Sequence, residues 1–546
     1  MGKEYVAIEP VGARRLADLL EEAAGELHVL RQRGRDLGVD AEFSLSPGIA
    51  RWLAGHAAKL RHAAAVVEVE IPGPLEWARA LEWAGLPLGP LPNPAAARAL
   101  VNDLRRWLAE QPADATPEAR ARAVAAWLGT RTWTELATLA VLAPTLVGTL
   151  DGAPTKLRYA ANRLTVARTR VSEQARLEAW RPPPARSDPR WVEYSRLTGR
   201  LAMYDTLLTA GAPDVLTFEP PRWDGDRVVD DGRLAVTVGD LDTASAVPVV
   251  VPGAATRIDT FGGYLLGGQA LRTASAPGTA VVVWLGYDAP GFSDAVLTDD
   301  AERGGVALHG FLAGLQTNGT VTVVGHSYGS LVAAYAMRAG ARPDRLVVLG
   351  SPGLGRSVDH ATDLGLPPGY PVFAMRTPDD LASITEWHGR DPVDLPGARP
   401  LDSGTVTGHV SYFTGGALTA LAAVVAGDPV IPPLSGRRSR HANELRELSR
   451  RLVDECPPEV VANAVARVER RIDLLLAGGE VHRAAVVAAC VAAYRDSGLS
   501  AHLTPAEFAW HLARSGLVTS VVAEGAVHAV RLAYKPGWYL GSGRVA

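Results

Sequence analysis

Residues 216–430 predict an α/β domain with a mostly parallel sheet covered by helices on both faces. Three observations predict it. Short β-branched runs recur in order, among them "RLAVTVGDL", "AVPVVVPG" (246–253), "TAVVVWLGYDAP" (279–290), "GTVTVVGHS" (319–327), "DRLVVLGSPG" and "YPVFAMRTPDD" (370–380). Several are nearly continuous Val/Leu runs, which suit strands buried on both faces. The segments between the later runs, 294–316 and 328–340, have helical length and pattern. The runs break into Gly, Asp or Pro, and in such sheets sites form beyond the carboxyl ends of the strands.

The elements before and after this domain read as helix. Residues 1–215 contain amphipathic segments such as "NPAAARALVNDLRRWLAEQ" and "PEARARAVAAWLGTRTWTELATLAVLA". In "GTLDGAPTKLRYAANRLTVARTRVSEQARLEAW", a turn at Asp151-Gly152 precedes Pro154, which suits the first turn of a long helix. Residues 427–440 resemble a linker, and 441–546 returns to helical spacing. The expected organisation is therefore a helical N-terminal region (1–215), an α/β domain (216–430) and a small helical C-terminal domain (431–546).

Composition narrows the function classes. The chain has 546 residues, 47% apolar and 21% charged, with a formal net charge of -4. Nothing in that balance calls for nucleic acid or an anionic membrane. The two cysteines, Cys456 and Cys490, do not imply a disulfide framework. The first residues carry an acid, Glu4, and no apolar run, so they do not form a secretory signal. The stretch nearest to a transmembrane span, 134–150, includes Glu135 and Pro144. A cytoplasmic location is expected, with export by a route lacking a cleaved signal left open.

The run Gly325-His326-Ser327-Tyr328-Gly329 lies between a strand-like and a helical segment. Gly-x-Ser-x-Gly in that context is a nucleophile elbow. The turn is so sharp that side chains two before and two after the serine would collide, and glycine avoids this. Ser327 then stands at the N-terminus of a helix, whose free N–H groups favour developing negative charge. The Tyr328 N–H is one expected oxyanion donor.

Serine is a weak nucleophile without an adjacent base, and the chain order in this fold is serine, acid, histidine. His360, His388 and His409 are the downstream histidines of the α/β region. His409 lies in polar, glycine-rich chain before a terminal helix, where the base is expected. Asp379 and Asp380 end the strand-like run at 370–380, and either can orient the histidine through Nδ1. Spacing does not choose between them, and Asp391 is a further candidate. A second oxyanion donor is expected from Pro252-Gly253-Ala254, at Ala254 N–H or else Gly253 N–H, where glycine allows close backbone approach. Tyr287 and Asp288 are candidate pocket residues. Phosphate-loop and His-Glu-x-x-His motifs are absent, and no close Cys/His cluster suggests zinc, so neither cofactor nor metal is expected.

Gly325–Gly329 and the ordered strands resemble the α/β-hydrolase superfamily. More narrowly, the chain resembles an actinobacterial family of α/β-hydrolase domain proteins of unknown function. The phrases that carry this are "LVGTLDGAPTKLRYAANR" (146–163), "GDLDTASAVPVVVPG", "VVWLGYDAP", "VVGHSYGS", "HGRDP" and "GHVSYF". Together they cover roughly 140–430. The resemblance implies an α/β-hydrolase fold with Ser327 as nucleophile, His409 as base and an aspartate at 379–380 as acid. The family's Gly-Asp-Pro appears here as "PDDL", which aligns Asp380 with its aspartate. The expected activity is a serine hydrolase acting on a small-molecule or acylated ester, thioester or amide. The alternative is a non-catalytic scaffold or protein-binding module that retains the fold, with the helical regions engaging a protein partner.

Overall fold

Proline and small polar residues start most of the early helices. The computed structural model describes residues 72–427, apart from 88, 186, 189, 292–293, 378–379 and 381–387, together with residues 20 and 23. The helical region predicted over 431–546, with both cysteines, lies outside the described residues.

The described chain falls into two compact units. The first is built from 72–82, 86–115 and 131–143. It contains helices α1 (Pro74–Trp83, but for its last residue), α2 (Pro94–Ala109) and α4 (Trp133–Leu142). Asn93 caps α2 by accepting hydrogen bonds from Ala95 N–H and Ala96 N–H, with Pro94 in the first turn. Thr132 and Glu135 form a capping box on α4. Val101 and Leu104 from α2 and Leu139 from α4 are fully buried.

The second unit carries the sheet. Four helices precede it in the chain: α3 (Pro117–Gly129), α5 (Pro144–Gly148), α6 (Thr155–Ala179) and α7 (Arg190–Leu208). The long helix predicted after Pro154 is α6. Its buried Arg158 and Asn162 both donate to the carbonyl of Gly148. They also donate to Thr217 Oγ1 and the carbonyl of Val215. Both acceptors lie on strand β1 (Asp214–Glu219), so the 146–163 segment fastens the helical layer to the sheet.

Eight strands form one sheet in the order β1-β4-β6-β5-β7-β8-β9-β10. They are β1 (Asp214–Glu219), β4 (Arg233–Val238), β5 (Ala246–Val251), β6 (Val281–Leu285), β7 (Thr320–His326), β8 (Arg345–Leu349), β9 (Val372–Met375) and β10 (Ala398–Leu401). β4 pairs antiparallel with both neighbours, while β6 through β10 are mutually parallel. Only β4 therefore runs against the rest. β2 (Arg222–Asp224) and β3 (Arg227–Asp230) form a separate hairpin. The result is the mostly parallel, helix-flanked sheet that the sequence predicts.

The crossovers are α8 (Gly262–Ala274) between β5 and β6, α9 (Asp299–Ala313) between β6 and β7, and α10 (Tyr328–Arg338) between β7 and β8. A terminal helix α11 (Gly415–Ala426) follows β10. All five residues of β6 are buried, and so are the last five of β7. This double-sided burial explains why the sequence shows unbroken apolar runs rather than alternation. The shared direction of β5 and β7–β10 brings the segments that follow them to one edge.

Candidate active site

Ser327 sits at the corner between β7 and α10, with φ 54° and ψ -128°. Side chains rarely adopt this region, and it persists only where surroundings enforce it. Several contacts enforce it. Ser327 N–H donates to the carbonyl of Leu349 at the end of β8 (2.9 Å). Ser330 Oγ lies 2.6 Å from the Ser327 carbonyl and 2.6 Å from Ser351 Oγ. A Cβ on Gly325 would come within 2.6 Å of Ser330 Cα, and one on Gly329 within 2.3 Å of the Val251 carbonyl. The two glycines are required because backbone occupies the space, as the motif predicts.

Of the three downstream histidines, His409 reaches the serine. Its Nε2 lies 2.8 Å from Ser327 Oγ. Its Nδ1 lies 2.8 and 2.9 Å from the two carboxylate oxygens of Asp380. A carboxylate only accepts, so Nδ1 carries the proton and Nε2 is left to accept from the serine hydroxyl. His360 instead caps a short 3-10 turn, Ala361–Leu364. His388 is buried, with Nε2 2.7 Å from the carbonyl of Ala295.

Asp380 is completely buried. Burial pushes its carboxyl up, but the charge of His409 and hydrogen bonds from His409 and Tyr412 outweigh that and hold it well below the usual carboxylate range. Tyr412 O–H donates to Asp380 Oδ2 at 2.5 Å and accepts from Thr377 N–H at 3.1 Å. Asp391 is committed elsewhere: it caps Pro392–Asp394 and pairs with Arg376. Asp379 lies outside the described residues.

The Gly253–Ala254 segment lies directly against the serine. A Cβ built on Gly253 would stand 2.8 Å from Ser327 Cβ and 3.3 Å from its Oγ. Gly253 N–H donates to Tyr264 OH (2.8 Å). The N–H groups of Ala254 and Tyr328 have no hydrogen-bond partner among the described residues. Ala255, next in the chain, has φ 58°, and among described non-glycine residues only it and Ser327 have positive φ. Backbone strain is thus concentrated on both sides of the serine hydroxyl. Tyr287 is a strut rather than an open pocket wall: its buried O–H donates to the Pro252 carbonyl, and its ring stacks on Tyr328. Asp288 is exposed.

Sequence reasoning missed Tyr412, Tyr264 and the Ser330–Ser351 pair. Tyr412 left one signal, its place three residues after His409. Tyr264 left none, since it meets the site only through the fold. Among the described residues, no group of three or more His, Cys, Asp or Glu could hold a metal ion. Among them, too, no helix is long and apolar enough to cross a membrane.

A family model described as an alpha/beta hydrolase matches residues 228–386, a span that includes Ser327 and Asp380 and ends before His409. Uncharacterized proteins of Mycobacterium bovis and Mycobacterium tuberculosis are each 34% identical over 192 residues, covering 31% of this chain and 71% of the relative. A second uncharacterized Mycobacterium tuberculosis protein is 31% identical over 240 residues, covering 38% of this chain and 36% of its own length. A solved thermostable esterase from Pseudomonas putida is 17% identical and covers 61% of this chain and 97% of its own. Its TM-score is 0.18, so that likeness carries no argument.

Proposed function

The chain belongs to the α/β-hydrolase family, and on that premise we propose that it is a serine hydrolase working through an acyl-serine intermediate. The observation that carries the reading is the continuous hydrogen-bonded chain from Ser327 Oγ through His409 to buried Asp380. In this reading His409 Nε2 takes the Ser327 proton as Oγ attacks the carbonyl carbon of an ester, thioester or amide. The carbonyl oxygen gains negative charge and accepts hydrogen bonds from Tyr328 N–H and Ala254 N–H. Gly253 N–H is occupied by Tyr264, which favours Ala254 as the donor on that loop. His409 then gives its proton to the leaving group, and the acyl group stays on Ser327. Water attacks the acyl-serine with His409 again as base, which frees the acid and restores the serine. Asp380 stays ionised throughout. It holds the ring in the required tautomer and balances the imidazolium.

The substrate is proposed as a small or acylated molecule, with esters the first class to test because they are the easiest to cleave. The mycobacterial relatives support placing the chain in the actinobacterial group of α/β-hydrolase proteins of unknown function. Residues 216–430 are proposed as the catalytic region, with the helical flanks as scaffold or protein-binding parts. A fluorophosphonate probe tests the reading: intact-mass analysis is expected to show one adduct on the wild-type chain and none on Ser327→Ala. A folded wild-type chain that takes no adduct across pH 6–9 sinks the proposal. If labelling holds, p-nitrophenyl esters of increasing chain length size the acyl site.

A further inference from the structure

A second histidine stands inside this site. His326 ends β7, is buried, and immediately precedes Ser327. Its Nε2 lies 2.7 Å from the backbone carbonyl of His409. Its ring is 4.8 Å, centroid to centroid, from the His409 imidazole. A carbonyl only accepts, so Nε2 must carry a hydrogen. Nδ1 lies 2.7 Å from Tyr264 OH. In the neutral ring Nδ1 accepts, so Tyr264 donates to it, while the same phenol oxygen accepts from Gly253 N–H. Every donor direction then follows: Gly253 N–H to Tyr264, Tyr264 O–H to His326, His326 Nε2–H to His409 C=O. Burial pushes the Tyr264 phenol up, which keeps it a donor.

His409 needs such a holder. It lies between the end of β10 at Leu401 and the 3-10 turn Ser411–Phe413, in chain without regular structure. Its ring is fixed by Asp380, and the preceding carbonyl, of Gly408, accepts from Thr377 Oγ1. The carbonyl of His409 itself is held by His326.

We infer that His326 is a positioning residue for His409, and that Tyr264 fixes its Nε2–H tautomer while tying it to the Gly253–Ala254 loop. The inference rests on the serine-hydrolase reading for its effect on rate, but not for its tautomer. One strut therefore sets two features of the site together: the base, and the loop carrying the Ala254 N–H. A misplacement of about 1 Å in a reacting group costs roughly 10²-fold in rate, so losing the strut is costly even though His326 touches no substrate.

The test has two arms. Full-length protein labelled with [15N]histidine gives ring tautomers from long-range 1H–15N spectra, with His326 assigned by its loss in His326→Gln. The expected result is the neutral Nε2–H form, in wild type and in Ser327→Ala alike. A protonated ring or the Nδ1–H form overturns the inference, whatever the labelling of Ser327 shows. The second arm is the rate of fluorophosphonate labelling. His326→Gln retains an N–H donor where Nε2 stood, and its rate should stay within about tenfold of wild type. His326→Leu, matched for thermal melting, should fall about 10²-fold. Equal rates for Gln and Leu overturn the positioning role. If the Leu variant does not fold, the Gln variant must still keep the wild-type His409 ring signals, and their displacement counts equally against the inference. Absence of labelling in wild type falls on the hydrolase reading instead, and the spectra still decide the strut.

Discussion

Replacing Gly253 with alanine tests the proposed mechanism through a single methyl group. The new Cβ would stand 2.8 Å from Ser327 Cβ, 3.2 Å from the His326 carbonyl and 3.3 Å from Ser327 Oγ. Ordinary carbon–carbon contact is about 3.5–4.0 Å, so either the serine or the loop must retreat by roughly 1 Å. Neither moves freely. Ser327 is bonded to Leu349, and the loop is bonded to Tyr264. A retreat of that size separates the hydroxyl from the Ala254 N–H and costs about 10²-fold in rate. Overpacking adds about 1–3 kcal/mol of destabilisation. Gly263→Ala is the matched control. It lies on α8, nothing stands within 4 Å of its Cβ, and no positive φ is involved. Gly263 is the second residue of that helix, so the change should shift stability by less than the roughly 1 kcal/mol of a helix interior. Fluorophosphonate labelling rates, with thermal melting alongside, compare the two variants. If Gly253→Ala labels and melts like Gly263→Ala, the close approach of this loop to Ser327 is not what sets the rate.

Asp380→Asn keeps a side chain of the same shape but removes the charge facing His409, and kcat on any ester that proves to be a substrate should fall by about 10⁴. The same variant has a stability signature. Because the folded protein holds Asp380 below its ordinary value, its contribution is complete above the unfolded value of about 3.9 and is lost as pH falls through the folded one. Urea melts from pH 6 down to pH 2 should therefore fall less steeply for Asp380→Asn below about pH 4, and parallel curves would contradict the assignment. Tyr412→Phe strips a donor from Asp380 and leaves Thr377 N–H without its acceptor. It should cost about 1–3 kcal/mol in chemical denaturation and raise the pH at which the Asp380 carboxyl titrates, read by 13C NMR of that group. Gly329→Ala would push a methyl within 2.3 and 2.4 Å of the Val251 and Pro252 carbonyls. Both are backbone, so a soluble variant with wild-type melting would show that the β5–β7 edge is far softer than drawn.

The legible parts of this protein were those whose physics is local. The elbow could be read because a strand, two glycines and a helix follow one another within Thr320–Arg338. His409 and Asp380 could be named as candidates because parallel strands deliver their following loops to one edge in chain order, although spacing left Asp379 and Asp391 beside Asp380. What stayed hidden depends on residues distant in sequence. Tyr264 and His326 are separated by 62 positions, and Asp380 and Tyr412 by 32. Neither pair leaves a periodic trace. Ala255 was equally silent, since alanine gives no warning of a positive φ that tertiary packing imposes. The reversed direction of β4 was also invisible, because strand-forming residues are the same whichever way the strand runs.

The corner at Ser327 has a consequence for how such a chain is made. Its backbone is held by Leu349, and its partner His409 lies 82 positions further on. Ribosomes add about 5–20 residues per second, so roughly 4–16 s pass between synthesis of the serine and synthesis of its histidine. Leu349, which holds the strained corner, follows sooner, but until His409 is made the nascent chain has no base to take the proton. On the proposed mechanism the protein is its own zymogen during translation: no propeptide is needed to keep the serine inert, because its activation is encoded later in the same message.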